Sequence, residues 1–276
     1  MTVKEKAYAK INLYLDVLGR RDDGFHDVKT LMHTVTLFDD IILTAIPSDN
    51  ISVKITSNNS ELETNENNLI YKSAVKYMSF FDIKADIQVE LLKRIPIGAG
   101  LGGGSADAAA TLRAMNKMFN CATKEQLLFM AAEIGSDVPF LIDGGYAVCT
   151  GRGEKLQQLN NTINRNVVIA IGNDRVSTPH AYALLDEKYG DFSLHNEEMA
   201  CLKQDNLPIY NIFESVICFS DIEKIKNLLA EKGAKNTLMS GSGPSVFGIF
   251  DSSDKAECAK SSLEALGFCA YRCETI

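Results

Sequence analysis

Residues 7–16 alternate in polarity. Ala7, Ala9, Ile11, Leu13 and Leu15 fall on one side, and Lys10, Asn12, Tyr14 and Asp16 on the other, which predicts a strand with one buried face. Residues 28–43 read as extended structure broken near Asp39 and Asp40, and 51–55 as a short strand. A helix is expected over 67–81 with Asn67 or Asn68 as its cap, followed by a strand over 86–92. Residues 106–118 are rich in good helix formers, with Ser105 as the expected N-cap. Thr123-Lys124-Glu125-Gln126 is a capping box ahead of Leu127-Leu128-Phe129-Met130, and Gly135 is the stop. Strands are expected over 146–149 and 167–171, and Thr178-Pro179 opens a helix with the threonine as cap. Residues 213–233 read as helix in two pieces, Ser220-Asp221-Ile222-Glu223 capping the second and Gly233 ending it. Strands over 237–239 and 245–250 flank Ser240-Gly241-Ser242-Gly243-Pro244, and a helix over 253–266 and a strand over 268–272 close the pattern. Strands and helices mix without the steady alternation of a doubly wound sheet, so the fold class is α+β. A polar, Asn-rich patch at 157–165 suggests two domains, 1–157 and 158–276.

Between the strand at 86–92 and the helix at 106–118 lies Pro96-Ile97-Gly98-Ala99-Gly100-Leu101-Gly102-Gly103-Gly104-Ser105-Ala106, with five glycines in seven residues. Glycine tolerates positive φ and lets backbone approach a ligand closely. The segment delivers free N–H groups to a helix start, where the partial positive charge suits an anion, most naturally phosphate. A flexible linker would not be bounded by an alternating strand on one side and a strong helix on the other. No Gly-Lys-Ser/Thr ending follows, which excludes the P-loop of the nucleotide triphosphatases. A dinucleotide fingerprint is formally present from Gly98 to Gly103, but no acidic residue stands on a strand end about twenty residues on.

Composition narrows the partners. The 276 residues are 46% hydrophobic and 23% charged, an ordinary mix for a globular chain. Net charge is −8 and the pI about 5.1, with no cluster of Lys or Arg longer than two, which argues against nucleic acid. No apolar run nears the ~20 residues of a membrane span, and the N-terminus lacks the apolar region of a signal peptide, so no membrane partner and a cytoplasmic location are expected. Seven cysteines are scattered without a C-x-x-C pair and histidines number four, which favours buried free thiols in a reducing compartment over a zinc site.

Phosphoryl transfer needs a positioned base and cations besides a phosphate loop. Lys10 stands in an otherwise apolar strand with Asn12 on the same side; the alternative is a lysine on a solvent-facing surface. Asp137 follows a helix stop and precedes Pro139, where it serves either as an ordinary N-cap or as an acceptor for a hydroxyl proton. Gly241-Ser242-Gly243 is either a plain hairpin or a turn that brings backbone to the phosphates. Phe25-His26, after two arginines, offers an aromatic and an imidazole to a nucleobase.

The string P-I-G-A-G-L-G-G-G-S-A-D-A-A-A closely resembles the phosphate loop of the GHMP small-molecule kinases. A-K-I-N-L near the N-terminus, G-S-D-V-P at 135–139 and M-S-G-S-G-P at 239–244 occur in the order and spacing of that family. The stretch A-K-I-N-L-Y-L-D-V-L-G-R-R-D-D-G-F-H-D resembles the members acting on cytidine diphosphate-linked methylerythritol. The resemblance covers nearly the whole chain and is strongest up to Glu154. It implies the two-domain GHMP kinase fold, with an ATP-binding N-terminal domain of the ribosomal protein S5 domain 2-like type and a ferredoxin-like C-terminal domain. It also implies ATP-dependent phosphorylation of the 2-hydroxyl of that small-molecule substrate, with Asp137 as base, Lys10 as its partner and Asn12 on the polyol. The segment from Pro96 to Ala106 would cradle ATP, and Phe25, His26, Thr178 and Tyr182 would hold the cytidine end. Phe25 stands where the family usually has tyrosine, and Tyr182 where phenylalanine is common. Mg²⁺ is inferred from ATP chemistry, with no ligand assigned. A monomer or weak homodimer is expected. The rivals are another GHMP kinase, acting on homoserine, mevalonate or a sugar, and a non-catalytic sensor or coactivator on the same fold. The presence of both Lys10 and Asp137 speaks for an enzyme.

Overall fold

In a computed structural model, which describes residues 1–159, 164–190, 192 and 209–276, the chain forms two compact units. The first comprises Met1–Ala9, Leu37–Ile97 and Gly102–Gly144; the second comprises Lys10–Thr36, Gly98–Leu101 and Gly145–Ile276. Two long strands, β1 (Thr2–Arg20) and β2 (His26–Pro47), contribute to both units. They are neighbours in one sheet, joined by a tight turn in which the Arg21 N–H donates to the Phe25 carbonyl at 2.8 Å.

In the first unit β3 (Ser52–Ser57) runs parallel to β4 (Ala85–Leu92), and β4 pairs antiparallel with the second half of β2, Asp40 opposite Leu92 through Pro47 opposite Ala85. The crossover from β3 to β4 is α1 (Leu69–Phe80), whose cap Asn68 accepts from the Ile70 N–H. Three helices follow: α2 (Gly103–Phe119), α3 (Lys124–Ile134) and α4 (Val138–Asp143). Alternation in β4 buries Ala85, Ile87, Val89 and Leu91. The Arg113 guanidinium, on α2, donates to Glu5 and the Lys6 carbonyl of β1, and to the Leu141 carbonyl of α4 at 2.7 Å. It thereby satisfies a carbonyl at the end of a helix too short to stand alone.

The second unit holds β5 (Tyr146–Thr150), paired with the first half of β2, and β6 (Lys155–Gln158), paired with β5. After β7 (Asn166–Ile171) come α5 (Thr178–Tyr189), the two-residue β8 (Tyr210–Asn211), which lies parallel to β1, and α6 (Ser220–Glu231). Then β9 (Asn236–Met239), β10 (Ser245–Phe250), α7 (Ser253–Ala265) and β11 (Cys269–Glu274) complete an antiparallel sheet ordered β11-β7-β10-β9. The path β7-α6-β9-β10-α7-β11 with that strand order is the split βαβ arrangement of ferredoxin-like folds. Its core joins Val168, Ala170, Val246 and Phe250 of the sheet to Ile222, Ile225 and Leu229 of α6 and Ala256, Ala259 and Leu263 of α7.

Several expectations need correction. From Ala9 to Val17 both faces of β1 are buried, including Lys10, Asn12, Tyr14 and Asp16. β2 has no break at Asp39-Asp40: Asp39 is buried in the same alternation as Ile41 and Leu43. The helix after the glycine loop begins at Gly103, capped by Gly102 at φ +69°, so Ser105 lies inside its first turn. The cap of α5 is Ser177 rather than Thr178, its side chain accepting from the His180 N–H. Phe219 caps α6 with no side-chain bond, and the first of the two expected helical pieces is a single 3-10 turn, Ile212–Ser215. Of the cysteines, Cys149 and Cys273 are buried, whereas Cys121, Cys218, Cys258 and Cys269 are exposed free thiols; Cys201 and residues 160–163 of the expected boundary lie outside the described residues. Among the described residues no helix is long and apolar enough to cross a membrane.

Candidate active site

The glycine loop is held from one side by carbonyl bonds. Within the second unit the Lys10 N–H donates to the Leu101 carbonyl at 3.0 Å, Ser240 Oγ to the Gly100 carbonyl at 3.1 Å, and Ser245 Oγ to the Ala99 carbonyl. Gly98, Gly100 and Gly102 have φ of +68°, +74° and +69°. A left-handed residue next to a right-handed one turns their successive N–H groups to one side, the kind of nest that receives anions. The loop ends at α2, whose first N–H groups receive no side-chain cap. Ser240 belongs to the turn expected as hairpin or phosphate contact. Asn211 Nδ2 ties that turn down by donating to the Met239 and Gly241 carbonyls, each at 2.8 Å. The approach is close: a Cβ on Gly100 would lie 2.1 Å from the Ser240 carbonyl oxygen. The turn therefore packs on the loop as a buttress.

Lys10 and Asn12 sit deep in the second unit, 5% and 3% exposed. Lys10 Nζ donates to Asn12 Oδ1 at 2.7 Å, Asn12 Nδ2 donates to Thr30 Oγ1 at 2.8 Å, and Thr30 Oγ1 donates to the Tyr14 carbonyl at 2.7 Å. This relay assigns both ends of the Asn12 amide and aims the lysine. The solvent-facing alternative for Lys10 is excluded by its burial.

Asp137 belongs to the first unit, at the N-cap position of α4 with φ −84° and ψ −14°. Its backbone carbonyl accepts from the Leu141 N–H at 3.2 Å, but its carboxylate makes no capping bond. The ordinary N-cap role is therefore not what its side chain performs. Pro139, in the first turn, costs no hydrogen bond there.

Phe25, His26, Thr178 and Tyr182 all lie in the second unit. His26 Nε2 donates to Asp186 Oδ1 of α5 at 2.7 Å, which leaves Nδ1 as the acceptor of the neutral ring. The imidazole stacks on Tyr182 with centroids 4.6 Å apart and an interplanar angle of 23°, and Tyr182 meets Phe213 edge-on at 5.0 Å. Thr178 Oγ1 lies 3.2 Å from Ser242 Oγ. Phe25 is 51% exposed with the Arg152 guanidinium 4.9 Å from its ring centroid. Tyr182 thus supports the histidine, while Phe25 is the ring left open to solvent. Asp186, Thr30 and Ser245 went unread in the sequence because each acts on a residue at least 16 positions away. Among the described residues no group of three or more His, Cys, Asp or Glu is arranged to hold a metal ion.

The family model described as GHMP kinases N terminal domain matches residues 68–145, and that described as GHMP kinases C terminal matches 181–267. The chain belongs to the GHMP kinases. It is therefore an ATP-dependent small-molecule kinase. The GHMP kinase is similar to the 4-diphosphocytidyl-2-C-methyl-D-erythritol kinase of Exiguobacterium sibiricum, 39% identical over 98% of this chain and 96% of the relative. It is 42% identical to the enzyme of that name from Lachnospira eligens, over 90% of this chain and 89% of the relative. Among solved structures, a 4-(cytidine 5'-diphospho)-2C-methyl-D-erythritol kinase superposes with a TM-score of 0.79 at 27% identity, covering 99% of both chains. A homoserine kinase from Cytophaga hutchinsonii (TM-score 0.73, 22% identity, 99% and 94% covered) shares the GHMP kinase fold.

Proposed function

We propose that this GHMP kinase transfers the γ-phosphoryl group of ATP to the 2-hydroxyl of 4-diphosphocytidyl-2-C-methyl-D-erythritol, a step of the non-mevalonate route to isoprenoid precursors. The observation that carries this reading is that relatives 39% identical or better over nine-tenths of the chain bear that one name. The site supports it from the residues upward. Asp137 takes the hydroxyl proton, a task for which its carboxylate is not engaged in capping. Lys10, aimed by the Asn12–Thr30 relay, supplies positive charge as the phosphoryl group moves, and Asn12 holds the polyol.

The loop from Pro96 to Ala106 binds the ATP phosphates, with Mg²⁺ accompanying the nucleotide and supplying Lewis-acid charge neutralisation. Phe25, His26, Thr178 and Tyr182 form the cytidine end: the Nδ1 acceptor of His26, fixed by Asp186, suits an exocyclic amine, and Phe25 offers a free face for stacking. We further propose the division into an ATP-binding domain over 1–157 and a C-terminal domain over 158–276, a cytoplasmic location, no nucleic-acid partner, and a monomer or weak homodimer. An ADP-release assay with the cytidylyl substrate, homoserine and mevalonate tests the reading. Turnover is expected with the first and not the others; preference for homoserine or mevalonate overturns the substrate, and no turnover with any overturns the enzyme.

A further inference from the structure

Close to the start of α2 the first unit carries a group of charges that the reading above leaves without a task. Lys93 is 8% exposed, Asp39 0% and Asp107 3%. Lys93 Nζ donates to Asp39 Oδ2 at 2.5 Å and to Asp107 Oδ2 at 2.7 Å. Asp39 Oδ1 accepts from the backbone N–H of Arg94 and from that of Ile95, the latter at 2.8 Å. Asp107 Oδ1 has no hydrogen-bond partner. Lys93 and Ile95 lead directly into the loop, and Asp107 stands on α2 just after it. One ammonium therefore joins the backbone that delivers the loop to the helix that receives it, while a carboxylate of β2 grips the same backbone. Gly103 shows how close the fit is, since a Cβ there would lie 2.9 Å from Ile95 Cγ2 and 3.1 Å from Lys93 Nζ.

Stability does not account for this arrangement. Buried ionic groups are on average no better than well-packed apolar residues, and here one carboxylate oxygen is left unpaired. What the cluster does supply is a fixed geometry on both sides of the loop. We propose that Lys93 is a positioning residue for the phosphate loop: held between Asp39 and Asp107, it sets the first turn of α2 against the incoming strand and so aims the loop's N–H groups at the nucleotide phosphates. This rests on reading the loop as the ATP site.

The cluster also carries a charge consequence. The charged groups facing Asp107 are Lys93 on the incoming strand and Asp39 on β2. Burial and the Asp39 carboxylate push Asp107 up, against the pull of Lys93, to about 8. Lys93 is itself raised, because the two carboxylates outweigh its burial. Ionisation of Asp107 as pH rises adds a negative charge near the anion site.

The test is calorimetric titration of the full-length chain with ATP at pH 7 and pH 9, using wild type, Lys93→Met and Asp107→Asn, with circular dichroism to establish folding. Lys93→Met is expected to bind ATP about tenfold more weakly or worse at pH 7. Wild type is expected to lose about threefold in affinity from pH 7 to pH 9 relative to Asp107→Asn, the effect of one added charge. A folded Lys93→Met with wild-type affinity overturns the proposal; superimposable pH profiles for wild type and Asp107→Asn overturn the charge consequence. If Lys93→Met does not fold, Lys93→Arg decides: it keeps the charge but not the fit between Asp39 and Asp107, and a folded Lys93→Arg with wild-type ATP affinity overturns the proposal. Absence of ATP binding by wild type overturns the reading of the loop itself, and the positioning role with it.

Discussion

Lys10 is a buried ammonium whose acceptor lies two residues away, on the same face of the same strand. That spacing was legible, because period-2 alternation puts Lys10 and Asn12 side by side whatever else the strand does. Their burial was not, since the cover comes from chain far off in sequence, such as Ser240, whose Oγ accepts from the Asn12 N–H at 3.4 Å. Asp137 was legible through its neighbours Gly135 and Pro139, which end one helix and begin another, and through the family resemblance of G-S-D-V-P. If Asp137 is the base, Asp137→Asn keeps size and polarity but cannot take the proton, and kcat should fall by ~10²–10⁴ with KM for ATP little changed. Lys10→Ala should fall comparably. The double variant should be little worse than either single one, because groups that act as a unit are not additive. Steady-state kinetics on the three variants checks this; near-normal kcat in Asp137→Asn would remove the base from the account.

Among the elements, the glycine loop was the clearest in sequence. The missing Cβ of Gly103 faces Ile95 and Lys93, so Gly103→Val disturbs the protein before it meets a phosphate. Gly100 is limited by the Ser240 carbonyl and by its φ of +74°. Gly100→Ala should therefore cost at least ~1–3 kcal/mol from the left-handed backbone alone, with more from the overlap. Gly104→Ala, whose Cβ would find only Leu69 Cδ1 at 3.7 Å, should leave stability unchanged within ~0.5 kcal/mol. Urea denaturation of the two variants tests the contrast, and equal stabilities would mean that the loop is not held against Ser240 as described.

The same elements held a signal that went unread. Ile87, Val89, Leu91, Lys93 and Ile95 are buried in one alternation that runs past the end of β4, and Asp39, Ile41 and Leu43 alternate likewise in β2, so that Lys93 and Asp39 are both in phase with buried positions. A charge in phase with a buried face is the sequence mark of an internal ion pair. Reading Asp39-Asp40 as a break, on composition alone, concealed it.

At the scale of the whole molecule the α+β class was legible from the mixed order of elements, and the ferredoxin-like sheet only through the family resemblance. The sharing of β1 and β2 between two units was not legible, because hydrophobic alternation says that a strand is buried and not by what. Burial also sets the acid limb of stability. His33 stacks on Tyr146 with centroids 4.9 Å apart, donates from Nδ1 to the Thr34 carbonyl, and is pushed down by burial to about 4. A depressed pKa stabilises the fold above the unfolded value of about 6.5 and loses that contribution as pH falls toward 4. Unfolding free energy should therefore drop between pH 6.5 and 4 with a slope of up to ~1.4 kcal/mol per pH unit from this group, and His33→Gln should flatten that limb. Chemical denaturation across the range measures it, and identical slopes would contradict the assignment.

The central claim is a phosphoryl transfer to one particular hydroxyl, and phosphorus NMR of the reaction product reads it directly. Carbon 2 of the methylerythritol unit bears a methyl group and no hydrogen. A phosphate on its oxygen therefore gives, without proton decoupling, a new monoester resonance lacking three-bond splitting. The account predicts that singlet, growing in step with ADP as ATP is consumed. A triplet would place the phosphate on a primary hydroxyl, and ADP formed with no new monoester resonance would mean that the cytidylyl compound is not the acceptor; either result contradicts the account.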